Sequence, residues 1–194
     1  MACFAEGTRI GTARGEVAVE ALAVGDRAVT ADGGDEAIVW IGQRAVNCAA
    51  HPAPETVWPV RVQAGAFGRN VPERDLWLSP DHAVFVADVL VPVKLLINGD
   101  SIAQVPRDRV RYFHVELPRH SMILAEGLTV ESYLDSGDRA NFSGYETIRL
   151  FPDFVARLWE TQGVAPLVMT GEALEAARRM VASSRAVAGL AIGG

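Results

Sequence analysis

The chain begins with short alternating runs of apolar and polar residues, separated by turn residues, from residue 3 to about residue 134. Alternation with a period of two is typical of β-strands that have one buried face. Turn signals such as Asp32-Gly33-Gly34-Asp35 and Asn98-Gly99-Asp100 limit each run to a few residues. The predicted strands cover residues 8–12, 17–19, 27–30, 38–41, 57–62, 76–78, 83–86, 89–97, 102–105, 110–117 and 122–125. Long helical periodicity is missing here, so the pattern predicts an all-β domain.

The pattern changes to helical spacing after about residue 143. Residues 153–163 can form a short helix, and a second helix is expected after Thr170, with Leu174, Ala177 and Val181 on one face. The sequence therefore predicts a β domain over residues 3–142 and a helical C-terminal extension, residues 143–194, packed on it. The alternative is that the extension is a separate module that binds a partner.

Composition and charge narrow the class of protein. The chain has 194 residues, 49% of them hydrophobic and 22% charged, as in an ordinary globular protein. The net charge of −6 argues against binding to nucleic acid or to an anionic membrane. No apolar run approaches the roughly 20 residues that span a bilayer, and the amino terminus does not resemble a signal peptide. The compartment stays unassigned, because the chain could be a fragment of a longer precursor.

Cysteine and histidine spacing gives no metal motif. The two cysteines, Cys3 and Cys48, do not form a CxxC pair, and none of the four histidines has HxxxH or HExxH spacing. We therefore expect neither a metal nor an organic cofactor. A single Cys3–Cys48 disulfide stays open as an alternative at this stage.

Cys3 stands where an unusual reaction is possible. A cysteine can attack the carbonyl carbon of the residue before it, here Ala2, and convert the peptide bond into a thioester. The reaction needs a thiolate, a group that stabilises the oxyanion, an acid for the leaving amine and a nucleophile that captures the thioester. Cys3 alone is weak evidence, because a lone cysteine is more often a buried structural residue.

Three sequence blocks strengthen the case for Cys3. The first block is CFAEGTRI at residues 3–10, followed by VAVEALAVGDR at residues 17–27. It resembles the opening block of Hint domains, the fold that Hedgehog C-terminal domains and inteins share. The second is Ser79-Pro80-Asp81-His82, which resembles the Thr/Ser-x-x-His block of that superfamily. The third block, residues 112–132, is similar to the penultimate strand pair of inteins.

The resemblance implies roles for individual side chains. His82 would polarise the scissile amide and protonate its leaving nitrogen, a task that suits an imidazole. Ser79 would orient the amide or the imidazole by a hydrogen bond. His120 matches the histidine of the third block, and either His120 or His114 would be a second proton donor. The alternatives are that His82 and Ser79 only shape a turn, and that His114 lies on a solvated strand face.

Two departures limit the reaction. Inteins end in His-Asn before a nucleophilic residue, whereas this chain has Glu131-Ser132, which cannot cyclise to release a downstream segment. We also find no equivalent, around residues 39–44, of the aspartate that activates sterol in Hedgehog domains. Neither splicing nor sterol transfer is therefore expected. The whole pattern, over residues 3–135, most resembles bacterial Hint proteins that begin C-F-x-x-G-T-x-I.

The resemblance implies a horseshoe-shaped β fold with pseudo-two-fold symmetry, in which Cys3 meets the end of the last strand. The expected function is autocatalytic processing: an N-to-S acyl shift at the Ala2–Cys3 bond, then capture of the thioester by water, a thiol or an amine. The domain would act once, as a monomer, on the upstream segment of its own bacterial precursor, which is either exported or retained in the cell. The competing hypotheses are a catalytically silent Hint scaffold that binds a partner, and a turnover hydrolase that uses Cys3 with His82.

Overall fold

A computed structural model describes residues 2–134 and 163–190, with side chains as far as residue 184. These residues form fourteen short strands and one long helix, α1 (Glu172–Leu190). The strands are β1 (Phe4–Ala5), β2 (Arg9–Thr12), β3 (Gly15–Ala18), β4 (Arg27–Val29), β5 (Asp35–Ala37), β6 (Trp40–Asn47), β7 (Val60–Val62), β8 (Leu76–Leu78), β9 (Ala83–Val86), β10 (Val89–Pro92), β11 (Ile102–Gln104), β12 (Arg109–Glu116), β13 (Met122–Ala125) and β14 (Leu128–Glu131). Short 3-10 helices cover Val19–Ala21, Cys48–Ala50, Pro54–Thr56 and Val93–Leu96.

The strands form two antiparallel sheets, which confirms the predicted all-β class. One sheet has the order β11-β7-β8-β1-β12-β6. The other has the order β10-β9-β14-β13-β2-β4-β5, with β3 paired to β2. Each sheet therefore takes strands from both the beginning and the end of the domain. This interleaving brings residues that are more than one hundred positions apart into contact.

Local turn chemistry fixes two of the hairpins. Strands β13 and β14 are joined by Glu126 and Gly127, whose φ angles are 49° and 78°. Strands β9 and β10 are joined by Ala87 and Asp88, with φ angles of 52° and 62°. Two consecutive residues with positive φ give the twist that a two-residue β-hairpin needs. The β13–β14 turn holds the strand that ends in Glu131 in a fixed register.

The strand predicted over residues 89–97 is too long. Strand β10 ends at Pro92, which has no N–H to continue the ladder, and the chain then turns into the 3-10 helix Val93–Leu96. The Val93 N–H donates to the His82 carbonyl at 2.8 Å, and the Lys94 N–H donates to the Pro80 carbonyl at 3.0 Å. The 3-10 helix thus covers and fixes the loop at residues 79–82.

The strand predicted over residues 38–41 is also placed wrongly. The chain instead forms β5 before this segment and the eight-residue strand β6 after Val39. Strand β6 pairs with β12 along its whole length, from Trp40 opposite Glu116 to Asn47 opposite Arg109. This pairing joins segments about seventy residues apart, so local alternation could not set the ends of the strand.

The two faces of β1 enter different apolar clusters. Phe4 is 1% exposed and lies in the main core between the sheets, with residues such as Leu78, Phe113 and Val115. Neighbouring side chains on a strand point in opposite directions. Cys3 therefore joins a second, smaller cluster that includes Tyr112 and Cys48. Alternation along β1 is the reason that Cys3 is buried.

The C-terminal helix packs against the β domain. Leu174, Ala177 and Val181 of α1 are buried in the main core, which confirms the predicted apolar face. The segment before α1 runs beside β10, where Leu90 forms a parallel bridge with Leu167. The helix predicted over residues 153–163 and the predicted boundary at residues 142–143 fall on or adjoin residues 135–162, outside the described residues. The division of the chain into two parts stays a prediction.

Candidate active site

The topology of one sheet gathers the predicted residues around Cys3. Strand β1 lies between β8 and β12, and Phe4 is paired with Leu78 on one side and with Phe113 on the other. The residues next to these partners are Ser79 and His114. Cys3, which precedes Phe4, is therefore flanked by one residue from each neighbouring strand. The sheet order, more than any local motif, assembles this site.

Two backbone-directed contacts hold Cys3 to the loop at residues 79–82. The Cys3 amide N–H donates to Ser79 Oγ at 3.0 Å. In the opposite direction, the Ser79 N–H donates to the Cys3 carbonyl at 3.0 Å. The nitrogen of the Ala2–Cys3 peptide bond is thus directly hydrogen-bonded to the predicted serine. The position of Ser79 matches its expected contact with the amide.

His114 is the histidine in contact with the thiol. Its Nε2 atom lies 3.2 Å from Cys3 Sγ, and its ring is fully buried in the middle of β12. The alternative that His114 lies on a solvated strand face is therefore wrong. The His114 ring lies against the Tyr133 ring at 5.0 Å and the Trp40 ring at 6.4 Å, as well as against the Cys3 sulfur.

The thiol and the imidazole are both held in their neutral forms. Burial raises the pKa of the Cys3 thiol to about 11. Burial, reinforced by the nearby His82 ring, lowers the pKa of His114 to about 3. A neutral imidazole can accept a proton at one nitrogen, and a thiol can donate one. At neutral pH the pair is an S–H group beside an imidazole rather than a thiolate beside an imidazolium.

His82 lies on the other side of Cys3. It is fully buried, and the Phe4 and His82 ring centroids are 4.5 Å apart in an edge-to-face arrangement. Its Nε2 atom is 3.2 Å from the Glu131 carbonyl oxygen. Burial lowers the pKa of His82, whereas the Glu131 charge and the Cys3 and Glu131 carbonyls oppose that effect. His82 is thus a buried imidazole between the first strand and the end of the last one.

His120 is linked to His82 through Glu131. Its Nδ1 atom accepts a hydrogen bond from the Val164 N–H at 3.2 Å, and its Nε2 atom lies 3.5 Å from Glu131 Oε2. The other carboxylate oxygen, Oε1, accepts from the Ala83 N–H at 2.7 Å. Glu131 therefore stands between His120 and the segment that carries His82.

An aromatic wall closes the site beside His114. The Tyr133 ring packs edge-to-face on His114 at a centroid distance of 5.0 Å, and Trp40 lies 5.3 Å from Tyr133. Gly42 is opposite His114 in the sheet, and a Cβ atom at Gly42 would lie only 2.3 Å from the Trp40 ring. The absent side chain is what allows Trp40 to lie against the histidine.

A groove opens on the far side of this wall. It has a volume of about 460 Å³ and is lined by Glu116, Arg119, His120, Tyr133 and Val164, among others. Glu116 is two residues from His114 and on the same face of β12. A small molecule in this groove would be separated from the Cys3–His114 pair by the Tyr133 ring.

Cys48 belongs to the same apolar cluster as Cys3 but not to the site. Both residues lie in the described part of the chain, and they are not joined by a disulfide. Among residues 2–134 and 163–190, no group of three His, Cys, Asp or Glu side chains is arranged to hold a metal ion. The described helix is not long and apolar enough to cross a membrane.

Sequence reasoning missed several residues of the site. In the sequence Glu131 stands out only as a residue that cannot cyclise, whereas in the structure its carbonyl contacts His82 and its carboxylate contacts His120. Trp40, Gly42 and Tyr133 carried no chemical signal in the sequence. The apolar or aromatic residues that flank the third block could have indicated a buried wall, but not which histidine it would cover.

A cysteine before the first strand, a serine on its amide and buried histidines on both sides define a thiol site in an interleaved all-β fold. The family model described as the Hint domain matches residues 2–137. Because this match covers well over half of the chain, the protein belongs to the Hint family. A search of curated proteins finds none that matches.

Solved structures with a similar course of the chain are inteins and an intein-like domain. The bacterial intein-like domain from Clostridium thermocellum is 18% identical, covers 69% of this chain and 99% of its own, and gives a TM-score of 0.46. The MchDnaB-1 intein (N145AA) is 17% identical, with 67% and 99% coverage and a TM-score of 0.48. A DnaB intein from Synechocystis is 11% identical, with 69% and 100% coverage and a TM-score of 0.44.

Proposed function

We propose that this Hint domain breaks the Ala2–Cys3 peptide bond autocatalytically by an N-to-S acyl shift, and that an external nucleophile then resolves the thioester. The observation that carries the proposal is the environment of Cys3. Its sulfur is 3.2 Å from a buried imidazole, and the amide nitrogen that would leave is bound to Ser79 Oγ at 3.0 Å. Nucleophile, base and scissile bond thus occupy one water-poor site.

The attack would begin with a proton transfer. Because the pKa of the Cys3 thiol is raised to about 11, a free thiolate is scarce at neutral pH. His114, as a neutral imidazole, accepts the thiol proton at Nε2 while Sγ bonds to the Ala2 carbonyl carbon. This role is that of a base, and it differs from the second proton donor expected from sequence. Its weak basicity predicts a slow reaction that is suited to a single turnover.

The collapse of the tetrahedral intermediate would need the opposite transfer. The carbon–nitrogen bond breaks, a protonated His82 gives its proton to the Cys3 nitrogen, and the Ala2 acyl group stays on Sγ as a thioester. One proton has then left His82 and one has reached His114, so the total charge is unchanged. Because the two rings repel each other when both are charged, the gain of a proton by His114 and its loss from His82 should be closely coupled.

Capture of the thioester would release the upstream segment of the precursor. Water, a thiol or an amine attacks the acyl carbon, the carbon–sulfur bond breaks, and the Cys3 thiolate is reprotonated. The result is cleavage with water and ligation with an amine.

A fusion protein tests the proposal. A reporter domain is attached upstream of Ala2, and its release is followed by mass spectrometry with and without dithiothreitol or hydroxylamine. We expect release from the parent protein, with a hydroxamate on the carboxyl end of the reporter when hydroxylamine is present. Cys3→Ala should abolish release, whereas Cys48→Ala, which alters the other buried cysteine of the same cluster, should retain it.

Two results would contradict the mechanism in different ways. Release that persists in Cys3→Ala would exclude the thioester. No release from the parent protein with any nucleophile would favour the alternative, a Hint scaffold that is catalytically silent and binds a partner.

A further inference from the structure

We infer that Glu131, the last residue of β14, is a positioning residue that orients His82 and holds a negative charge beside it for the acyl shift. The inference rests on the proposed function, since it assigns Glu131 a part in the same reaction. Glu131 would not touch the scissile bond. It would act through His82.

The backbone and the side chain of Glu131 both contact the segment that carries His82. Its carbonyl oxygen lies 3.2 Å from His82 Nε2, and its Oε1 atom accepts from the Ala83 N–H at 2.7 Å. A carbonyl oxygen can only accept, so this contact fixes the proton on Nε2. Nδ1 is then the nitrogen that exchanges a proton with the reacting bond. The carboxylate also holds β14 to the start of β9, which keeps the imidazole in place.

The negative charge of Glu131 raises the pKa of His82, whereas burial lowers it. Only 3% of Glu131 is exposed, so its carboxylate is poorly screened by water. The carboxylate favours the protonated His82 that the leaving amine requires, whereas burial disfavours it. The charged or titratable groups that face this pair are His120 from the loop before β13, and Cys3 and His114 from the neighbouring sheet.

His120 completes the arrangement. Its Nδ1 atom accepts from the Val164 N–H, so the neutral ring carries its proton on Nε2, toward Glu131 Oε2 at 3.5 Å. The carboxylate is thus held on one side by the Ala83 N–H and on the other by an imidazole. A carboxylate with two such partners keeps its orientation with little need for water.

Neutralising the carboxylate without changing its shape tests the inference. In Glu131→Gln the amide oxygen can still accept from the Ala83 N–H, but the charge is lost. The matched control is Glu126→Gln, which neutralises another 3% exposed glutamate at the turn of the same hairpin. Reporter release is measured from pH 5 to pH 9, with circular dichroism to verify folding. The His82 titration is followed by NMR in the inactive Cys3→Ala background.

The two variants should separate in their pH dependence. We expect Glu131→Gln to slow release at pH 7 at least about tenfold, since general acid catalysis contributes about 10²–10⁴ to a rate. Its decline in rate at high pH and its His82 midpoint should both move down by about 1 pH unit or more, the usual effect of losing a nearby opposite charge. Glu126→Gln should leave both profiles where they are.

Other outcomes have equally definite meanings. An unchanged His82 midpoint and pH profile in a folded Glu131→Gln protein would overturn the inference. If that variant does not fold, Glu131→Asp keeps the charge but shortens the side chain, and its His82 midpoint should fall by a smaller amount; a midpoint equal to that of the parent would overturn the inference too. Absence of release from the parent protein would defeat the proposed function, whereas the NMR midpoints would still test Glu131.

Discussion

The hairpin formed by β13 and β14 carries a buried glutamate at each end, and the two have different partners. Glu126, in the turn, is paired with Arg74 through Oε2 at 2.6 Å and accepts from the Arg9 N–H at 2.7 Å. Glu131, at the open end, faces His120 and the Ala83 N–H. Both residues are 3% exposed, so burial does not distinguish them.

The difference lies in the chemistry of the partner. A guanidinium keeps its charge across the accessible pH range, and the neighbouring Glu16 and Glu126 raise the pKa of Arg74 further. The turn of the hairpin is therefore held by an ion pair whose cation stays charged, whereas the carboxylate at the open end faces an imidazole and a backbone N–H.

Acid should destabilise the protein through His114, the buried imidazole beside Cys3. His114 has a pKa lowered to about 3, so its neutral form stabilises the folded state above pH 6.5, and this contribution is lost as pH falls toward 3. The loss reaches about 4–5 kcal/mol if the unfolded pKa is about 6.5. Urea unfolding at several pH values should show a flatter acid limb in His114→Gln than in the parent. Equal slopes in the two proteins would mean that His114 is not the acid-sensitive group.

Alkali should act through Cys3. Its pKa is raised to about 11, so the stability present below pH 9 is lost as pH rises through 11. Two pH units correspond to about 3 kcal/mol. Cys3→Ser should remove this loss, as measured by urea unfolding at pH 8 and pH 11. The ion pair at Glu126 should persist at both pH values, because Arg74 stays charged. A parent and variant that weaken alike above pH 9 would contradict the assignment.

Removing the guanidinium from the turn should weaken the fold without affecting reporter release. Arg74→Met leaves the Glu126 carboxylate buried with only the Arg9 N–H, at a cost of about 2 kcal/mol, since Arg74 is itself half-exposed. Arg14→Met, which breaks an exposed pair with Asp26, should cost less than about 1 kcal/mol. A changed rate of release in Arg74→Met would contradict the expectation that the turn of the hairpin affects stability alone.

The smallest expected change concerns the hydroxyl group beside Cys3. Ser79→Ala leaves the Cys3 N–H buried without its acceptor and should cost about 1 kcal/mol of stability, whereas Ser79→Thr keeps the acceptor and should cost less. Chemical denaturation of the three proteins gives the order. If threonine is as costly as alanine, the hydroxyl oxygen is not what holds the amide.

The sequence was most informative where the determinants are local. Strands 76–78, 83–86 and 122–125 have the predicted bounds, because turn residues limit each of them. Ser79 and His82 could be identified because three residues in a turn fix their spacing. The family was also recognised from such short blocks, and the Hint model confirms it.

What depends on strand pairing could not be predicted. The placement of His114 opposite Cys3 and Gly42 follows from the position of β12 between β1 and β6, which are more than sixty residues away in sequence. The link from Glu131 to His82 and His120 likewise needs β14 beside β9 and the return of residue 164. Trp40 can lie over Gly42 only because Gly42 has no side chain, and the β6–β12 register places this pair beside His114. No periodicity along the chain encodes these contacts.

The segment that runs beside β10 also determines how the molecule meets other molecules. Strand β10 ends its sheet, and the Leu90 N–H and carbonyl are taken by Pro166 and Val168, both at 2.9 Å. A strand at the end of a sheet otherwise offers its backbone groups to a second copy of the chain and promotes aggregation. Residues 166–168 occupy the Leu90 backbone groups, so a second copy of the chain cannot pair with them. A shortened Hint domain that keeps only the family-matched residues would therefore lose solubility as well as part of its core.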